Sequence, residues 1–219
     1  ALGYPTATVI GHSLGGGIGM QFAYQFPDRI NRLVLISSGG LGTEVTPMLR
    51  AATLPGAQLV VEGLAHVPDG VTRRLLLPAM SILPGVVAGE DADPLADGLR
   101  GLADGRQRHA FIHTARSVIN WRGQAVSAAR QLSLMRDLPV LVAWGSHDKT
   151  IPPHHQQAAV RQLPHAHFLE ITGAGHYPHE TAPDRLLPPL HAFLTSTLPF
   201  HYSETRWREL LHGPQAQAA

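Results

Sequence analysis

The sequence predicts an α/β protein with a mostly parallel sheet, interrupted by one long helical insertion. Three observations lead there. Four short apolar runs, at residues 6–11 (TATVIG), 33–37 (LVLIS), 139–144 (PVLVAW) and 167–171 (HFLEI), read as strands buried on both faces. Helix-length segments lie between them, so crossovers join strands that run parallel, with right-handed connections expected. Between the second and third runs roughly 90 residues intervene without a strand-like stretch, far more than a crossover needs.

Taken in order, the first run leads at once into Ser13 and a Gly-rich helix that reaches about Phe26 and stops at Pro27. The second run ends at Ser38-Gly39-Gly40, the third at Gly145 and the fourth at Gly173. Within the insertion, helical segments are expected at about 47–65, 70–81, 94–104, 107–121 and 124–136, broken by Pro and Gly. A closing helix is expected from Pro183 to about residue 197. A short amphipathic helix follows Phe200, and the final PQAQAA is expected to be disordered. The domain division is then 1–42 and 137–200 for the core, 43–136 for the insertion and 201–219 for a tail.

Composition excludes several classes. Lys plus Arg is 17 and Asp plus Glu 16, and no basic stripe interleaved with aromatics occurs, so nucleic acid is not an expected partner. The chain has no cysteine, which rules out disulfides, thiol catalysis and zinc–thiolate sites and fits a reducing, cytoplasmic compartment. No run of about 18 apolar residues is present, so no membrane-spanning helix is expected.

The chemistry concentrates in three places. Gly11-His12-Ser13-Leu14-Gly15 matches G-x-S-x-G, and it lies between a strand and a helix, the context that gives the pattern meaning. A serine in so sharp a turn leaves no room for flanking side chains, so glycines on both sides are expected to relieve crowding, with Gly16, Gly17 and Gly19 letting the helix approach the sheet. A serine hydroxyl needs a base within hydrogen-bond reach. His176, in Gly173-Ala174-Gly175-His176 after the fourth strand, is that base. The base needs an anion to fix its tautomer, and Asp148, in Trp144-Gly145-Ser146-His147-Asp148 after the third strand, supplies it. Glu44 is the competing acid. The backbone N–H of Leu14 is a candidate oxyanion donor.

GHSLGG, WGSHDKTIP and GAGHYPHETAP, in that order, resemble the nucleophile, acid and histidine regions of the α/β-hydrolase superfamily. The stretches LVLISSGGLGTEVTPMLRAATLPGA and NWRGQAVSA look more narrowly like a group of actinobacterial cap-bearing esterases and lipases. The resemblance implies an α/β-hydrolase fold, a helical cap over the active site and no cofactor. It also implies that this chain carries the C-terminal half of an eight-stranded sheet. Roughly 80–110 further residues are then expected upstream, with the loop that gives the second oxyanion donor. One local departure is Thr181 two residues before Pro183, where members carry an acid.

Other residues admit plainer readings. His12 flanks the nucleophile and either touches substrate or packs under the cap. Trp121, Phe111, Met80 and Leu75–Leu77 are candidate acyl-pocket residues, Trp121 foremost. Met20, Phe22 and Phe26 are expected in the core. Arg73, Arg74, Arg106 and Arg108 are expected on solvated faces. His179 is expected at a helix start. The pairs His154-His155 and His165-x-His167 have no evident carboxylate partner, so no metal is expected. The expected function is hydrolysis of a small-molecule carboxylic ester with an apolar acyl group. The alternatives are carbon–carbon bond hydrolysis on the same triad and a non-catalytic ligand-binding homologue.

Overall fold

The middle of the sheet is made by β2 (Ile30–Ile36) and β5 (Val140–Gly145), flanked by β1 (Ala7–His12) and β6 (His167–Ile171) in the order β1-β2-β5-β6, all parallel. The coordinates are a computed structural model that describes residues 3–82, 89–163 and 165–212. Alternate residues of a strand face opposite sides of its sheet, and here both sides are apolar. Leu33, Leu35, Val140, Val142 and Trp144 face one core with Met20, Leu132 and Ala159. Val34, Ile36, Leu141 and Ala143 face a second core with Leu186 and Phe193. The runs of β2 and β5 are therefore strands covered from both sides, whereas β1 and β6, expected to be buried likewise, lie at the ends of this strand order and are partly exposed, Ile10 by 52% and Phe168 by 38%.

α1 (Leu14–Gln25) packs on β1 and β2, and α8 (Gln156–Gln162) packs on β5 from the same core. α10 (Pro183–Ser196) covers the other face. Of the helical residues expected in the core, Met20 is buried and Phe22 half-buried, but Phe26 is 50% exposed because it lies beyond the last turn of α1. The expected crowding around Ser13 is one-sided. A side chain at Gly11 would run into the Gly15 carbonyl, whereas a Cβ at Gly15 meets nothing within 4 Å.

The insertion holds α2 (Pro47–Ala51), α3 (Ala57–Ala65), α4 (Asp69–Val71), α5 (Leu77–Ser81), α6 (Ala92–Gly101) and α7 (Gly105–Val118). The chain between α4 and α5 widens into a π turn at Thr72–Leu76, just before Pro78, which has no N–H to continue an α-helical ladder. Asp104 starts α7, its side chain accepting from the N–H groups of Arg106 and Gln107.

The expected helix over 124–136 does not form, and a strand pair stands where none was expected. α7 ends in a small antiparallel hairpin, β3 (Ile119–Asn120) with β4 (Gly123–Gln124). The following backbone is committed to the loop after β2: Gln124 N–H donates to Thr43 O at 2.7 Å and Ala128 N–H to Gly40 O at 2.9 Å. Tertiary pairing overrides local helix propensity here. Only a 3₁₀ turn at Leu132–Met135 remains, anchored by two buried side chains.

Of the arginines expected on solvated faces, Arg108 is buried and Arg73 stays at the surface within an ion-pair network. Arg108 is 7% exposed, pairs with Glu62 at 2.8 Å and donates to the carbonyls of Leu102 and Ala103. Arg73 joins Asp69, Asp93 and Asp97 in an ion-pair network that also includes Arg100 and fastens α6 to the α4 stretch. The tail forms α11 (Glu204–His212), and PQAQAA lies outside the described residues. No helix among the described residues is long and apolar enough to cross a membrane.

The asymmetry at the nucleophile turn gives a sharp contrast. Gly11→Ala should destabilise the protein by about 1–3 kcal/mol, because its neighbour is backbone that cannot move aside. Gly15→Ala should be neutral or stabilising by up to about 1 kcal/mol, since alanine is the better helix former. Denaturant unfolding of the two variants decides it, and equal costs would contradict the geometry.

Candidate active site

Parallel strands place every carboxyl end on one rim, and the three chemical segments leave the sheet there. Ser13 follows β1 with φ of +53°, in the left-handed region that few non-glycine residues adopt. Its own N–H donates to Ile36 O at 2.9 Å, and its carbonyl accepts from Gly16 and Gly39. Bonds on both sides thus fix the strained turn and present the side chain at the rim. Leu14 begins α1, so its N–H has no acceptor within the helix.

His176 stands on the loop after β6. Its Nε2 is 3.0 Å from Ser13 Oγ and its Nδ1 is 2.8 Å from Asp148 Oδ2. The side chain of Asp148 is fully buried, and its Oδ1 accepts from the N–H groups of Thr150 and Ile151. Three donors therefore hold this carboxylate, so its orientation is fixed before any substrate arrives. Ser13, His176 and Asp148 are brought together in the order the sequence suggested. Glu44 is not: it faces His155 at 2.6 Å and His154 at 3.4 Å, away from His176.

Behind His176 lies a group of rings. The His12 ring packs, tilted, against those of His176, Tyr177 and His179 with centroids 4.8, 5.2 and 4.4 Å away. His12 Nε2–H donates to the backbone carbonyl of His176 at 2.7 Å, and His12 does not line the cavity beside Ser13. It supports the histidine loop rather than meeting substrate. Burial, with His176 close by, holds the His12 pKa down at about 3, so it is neutral near pH 7. Burial likewise lowers the pKa of His179 and raises that of Tyr177 to about 12. A cation at position 12 would oppose charge developing on His176, and these surroundings prevent it.

Ser13 and Leu14 open onto a cavity of about 460 Å³. Its walls come from α1 (Gly17, Ile18), from the loop after β2 (Val45) and from α7 and its hairpin (Phe111, Val118, Ile119). No charged residue is among its described lining residues. Phe111 lines it as expected. Trp121 does not: it stands at the hairpin tip, 69% exposed, with the Arg122 guanidinium over its ring. Met80 and Leu75–Leu77 also lie outside the lining, Leu75 being exposed and Leu77 buried within the insertion.

Two residues escaped the sequence reading. Asp91 is buried against the N–H groups of His176 and Tyr177. Gln124 joins the hairpin to the core, its Oε1 accepting from Gly40 N–H at 2.6 Å and its Nε2 donating to Glu44 O at 3.2 Å. Only the motif-like NWRGQAVSA hinted at the second. The carboxylate partner that the sequence did not show for His154-His155 is Glu44, and the three ligand atoms lie within 4.8 Å of one another. They could hold a divalent ion, but the buried His155 Nδ1 has no hydrogen-bond partner, so nothing behind the ring orients it toward a metal. His165 precedes β6, so the pair with His167 does not share a strand face.

Comparison with known proteins agrees with the fold. A family model described as alpha/beta hydrolase fold matches residues 1–183. An uncharacterized protein of Mycobacterium tuberculosis is 34% identical over 220 residues, covering 96% of this chain and 62% of that protein. The chain thus spans a little over three-fifths of that relative's length. Among solved structures, 2-hydroxy-6-oxo-6-phenylhexa-2,4-dienoate hydrolase from a Rhodococcus strain has a TM-score of 0.64 at 18% identity, covering 89% of this chain and 66% of that one. Carboxylesterase CesB from Bacillus subtilis has a TM-score of 0.56 at 21% identity, covering 90% and 62%. At these identities the structural likeness speaks to the fold.

The buried neutral histidine has a pH signature. Its folded pKa lies below the unfolded value of 6.5, so the unfolded state binds more protons between about pH 6.5 and 3. Stability should therefore fall as pH drops through that window. His155 and His179 act with the same sign, since burial lowers both. His12→Gln keeps a donor for the His176 carbonyl and should flatten the dependence in part. Thermal melts from pH 7 to pH 4 measure it, and an unchanged slope would refute the assignment.

Proposed function

The chain belongs to the α/β-hydrolase-fold family, and from that premise we propose that it is a serine hydrolase cleaving carboxylic esters with an apolar acyl group. One observation carries the reading: two hydrogen bonds in series, Ser13 to His176 to Asp148, beside a cavity without charged walls.

Ser13 Oγ attacks the ester carbonyl as His176 Nε2 takes its proton. The Oγ–C bond forms, and the carbonyl oxygen takes up negative charge facing the Leu14 N–H. Asp148 holds the imidazolium in place. Collapse expels the alcohol, which receives the proton from Nε2, and leaves an acyl-enzyme. His176 then deprotonates a water that attacks the acyl carbon, and the acid departs with Ser13 restored. The acyl group occupies the cavity against α1 and α7, and the insertion acts as a cap that excludes water. No cofactor enters this scheme. An uncharged wall favours a neutral acyl chain over the carboxylate of a dienoic acid, which sets ester cleavage above carbon–carbon hydrolysis.

A fluorophosphonate probe should label the protein at Ser13, and Ser13→Ala should abolish labelling and lower kcat by about 10⁶-fold. Asp148→Asn should keep the fold and lower kcat by about 10⁴-fold. On a panel of p-nitrophenyl esters, Phe111→Ala should shift preference toward longer or bulkier acyl groups. Absence of labelling would overturn the enzyme reading in favour of a binding protein, and cleavage of a dienoate with no ester turnover would select the carbon–carbon alternative.

A further inference from the structure

Asp91 meets the histidine loop from the insertion. It occupies the position just before α6, where an aspartate ordinarily accepts from the first free N–H groups of its own helix. Its side chain makes no such bond. Both oxygens instead cross to a loop 85 residues further along: Oδ2 accepts from His176 N–H at 2.8 Å and Oδ1 from Tyr177 N–H at 3.2 Å. The residue is 1% exposed. Position 175 is fitted to it, because a Cβ there would run into the carboxylate.

The contact completes a pattern around one residue. The imidazole of His176 is held by Ser13 and Asp148, its backbone carbonyl by His12, and its backbone N–H by Asp91. Of these four partners only Asp91 belongs to the insertion. Its helix is fastened in turn to the α4 stretch by the Arg73 and Arg100 ion pairs.

We propose that Asp91 is a positioning residue through which the insertion holds the His176 loop in line with Ser13, so that seating of the insertion and readiness of the base are one event. Burial raises the Asp91 carboxyl above its ordinary range while the two N–H bonds oppose that shift. Once ionised, it is a second negative charge near the imidazole. The other titratable groups around this pair are Asp148, His12, Tyr177 and His179, with Glu90 on the adjoining turn held by His147.

The kinetic part of the test rests on the serine-hydrolase reading, and the exchange part does not. Asp91→Asn keeps the shape and removes the charge. It should lower kcat about tenfold or more with KM within about twofold, because a small displacement of the base is costly. The acidic limb of kcat/KM should move to lower pH, since the imidazolium loses a nearby anion. Glu90→Gln should leave both unchanged. Independently of turnover, hydrogen exchange of the 173–180 segment should quicken in Asp91→Ala while the strands keep their protection. Gly175→Ala attacks the same contact with Asp91 intact, and provides the test where Asp91→Ala fails to fold. It should also lower kcat, and Gly175→Ala combined with Asp91→Asn should cost less than the product of the two. An unchanged pH profile and kcat in Asp91→Asn, unaltered loop exchange, or strictly multiplicative costs would overturn the proposal. If wild-type protein fails to react with the fluorophosphonate, the hydrolase reading falls while the exchange result still judges Asp91.

Discussion

The register of four parallel strands is the constraint on which the site depends. His12 lies opposite Ile36, Ile36 opposite Ala143, and Gly145 opposite Ile171. The ladder continues one step past each strand: Ser13 N–H donates to Ile36 O, Ser37 N–H to Ala143 O, and Ser146 N–H to Ile171 O. Side chains far apart in sequence are thereby delivered to one rim with their backbones already fixed. The left-handed φ at Ser13 costs on the order of 1–3 kcal/mol and persists because strand bonds on one side and the helix on the other over-determine it. A slip of one residue in β1 would turn that side chain toward the other face and end the arrangement.

Electrostatics follow from the same rigidity. Asp148 is buried and triply hydrogen-bonded, so its carboxylate is fixed in the orientation that holds the imidazole. His12 stays neutral beside it because burial disfavours its charged form. The loop can therefore carry several histidines close together without mutual repulsion, and only His176 is placed between a hydroxyl and a carboxylate. Position, more than residue type, separates it from its neighbours His12 and His179.

Much of this was legible in the sequence, for identifiable reasons. Continuous apolar runs give the parallel strands directly, although only β2 and β5 are buried throughout their apolar stretch, and glycine marks where the runs end. The three chemical segments could be located because each lies within a few residues of a strand end. What could not be read depends on contacts between distant segments. The stretch after Gln124 has the composition of a helix, yet its N–H groups find Thr43 and Gly40, and no local signal announces that. Arg108 looked solvated because its partner, Glu62, is distant in sequence. Trp121 looked like a pocket residue on size alone, but the hairpin tip carries it outward. Asp91 went unnoticed because its partners, the His176 and Tyr177 N–H groups, lie some 85 residues away and only the folded chain brings them to its carboxylate.

The insertion consequently acts on both sides of Ser13 by different means. α7 and its hairpin contribute apolar surface to the cavity, which under the proposed reading would select among acyl groups by size and shape. The start of α6 contributes one carboxyl group in a fixed geometry, which leaves less room for substitution. Gln124 ties the first of these to the loop after β2, and the Arg73 and Arg100 pairs tie the second to the α4 stretch. Because both lie on one continuous segment, the proposed role of Asp91 implies that a displacement of the insertion which opened the cavity would also loosen the hold on the base. Under the proposed reading, closure then sets substrate fit and proton acceptance together, which disfavours turnover while the chamber stands open to water.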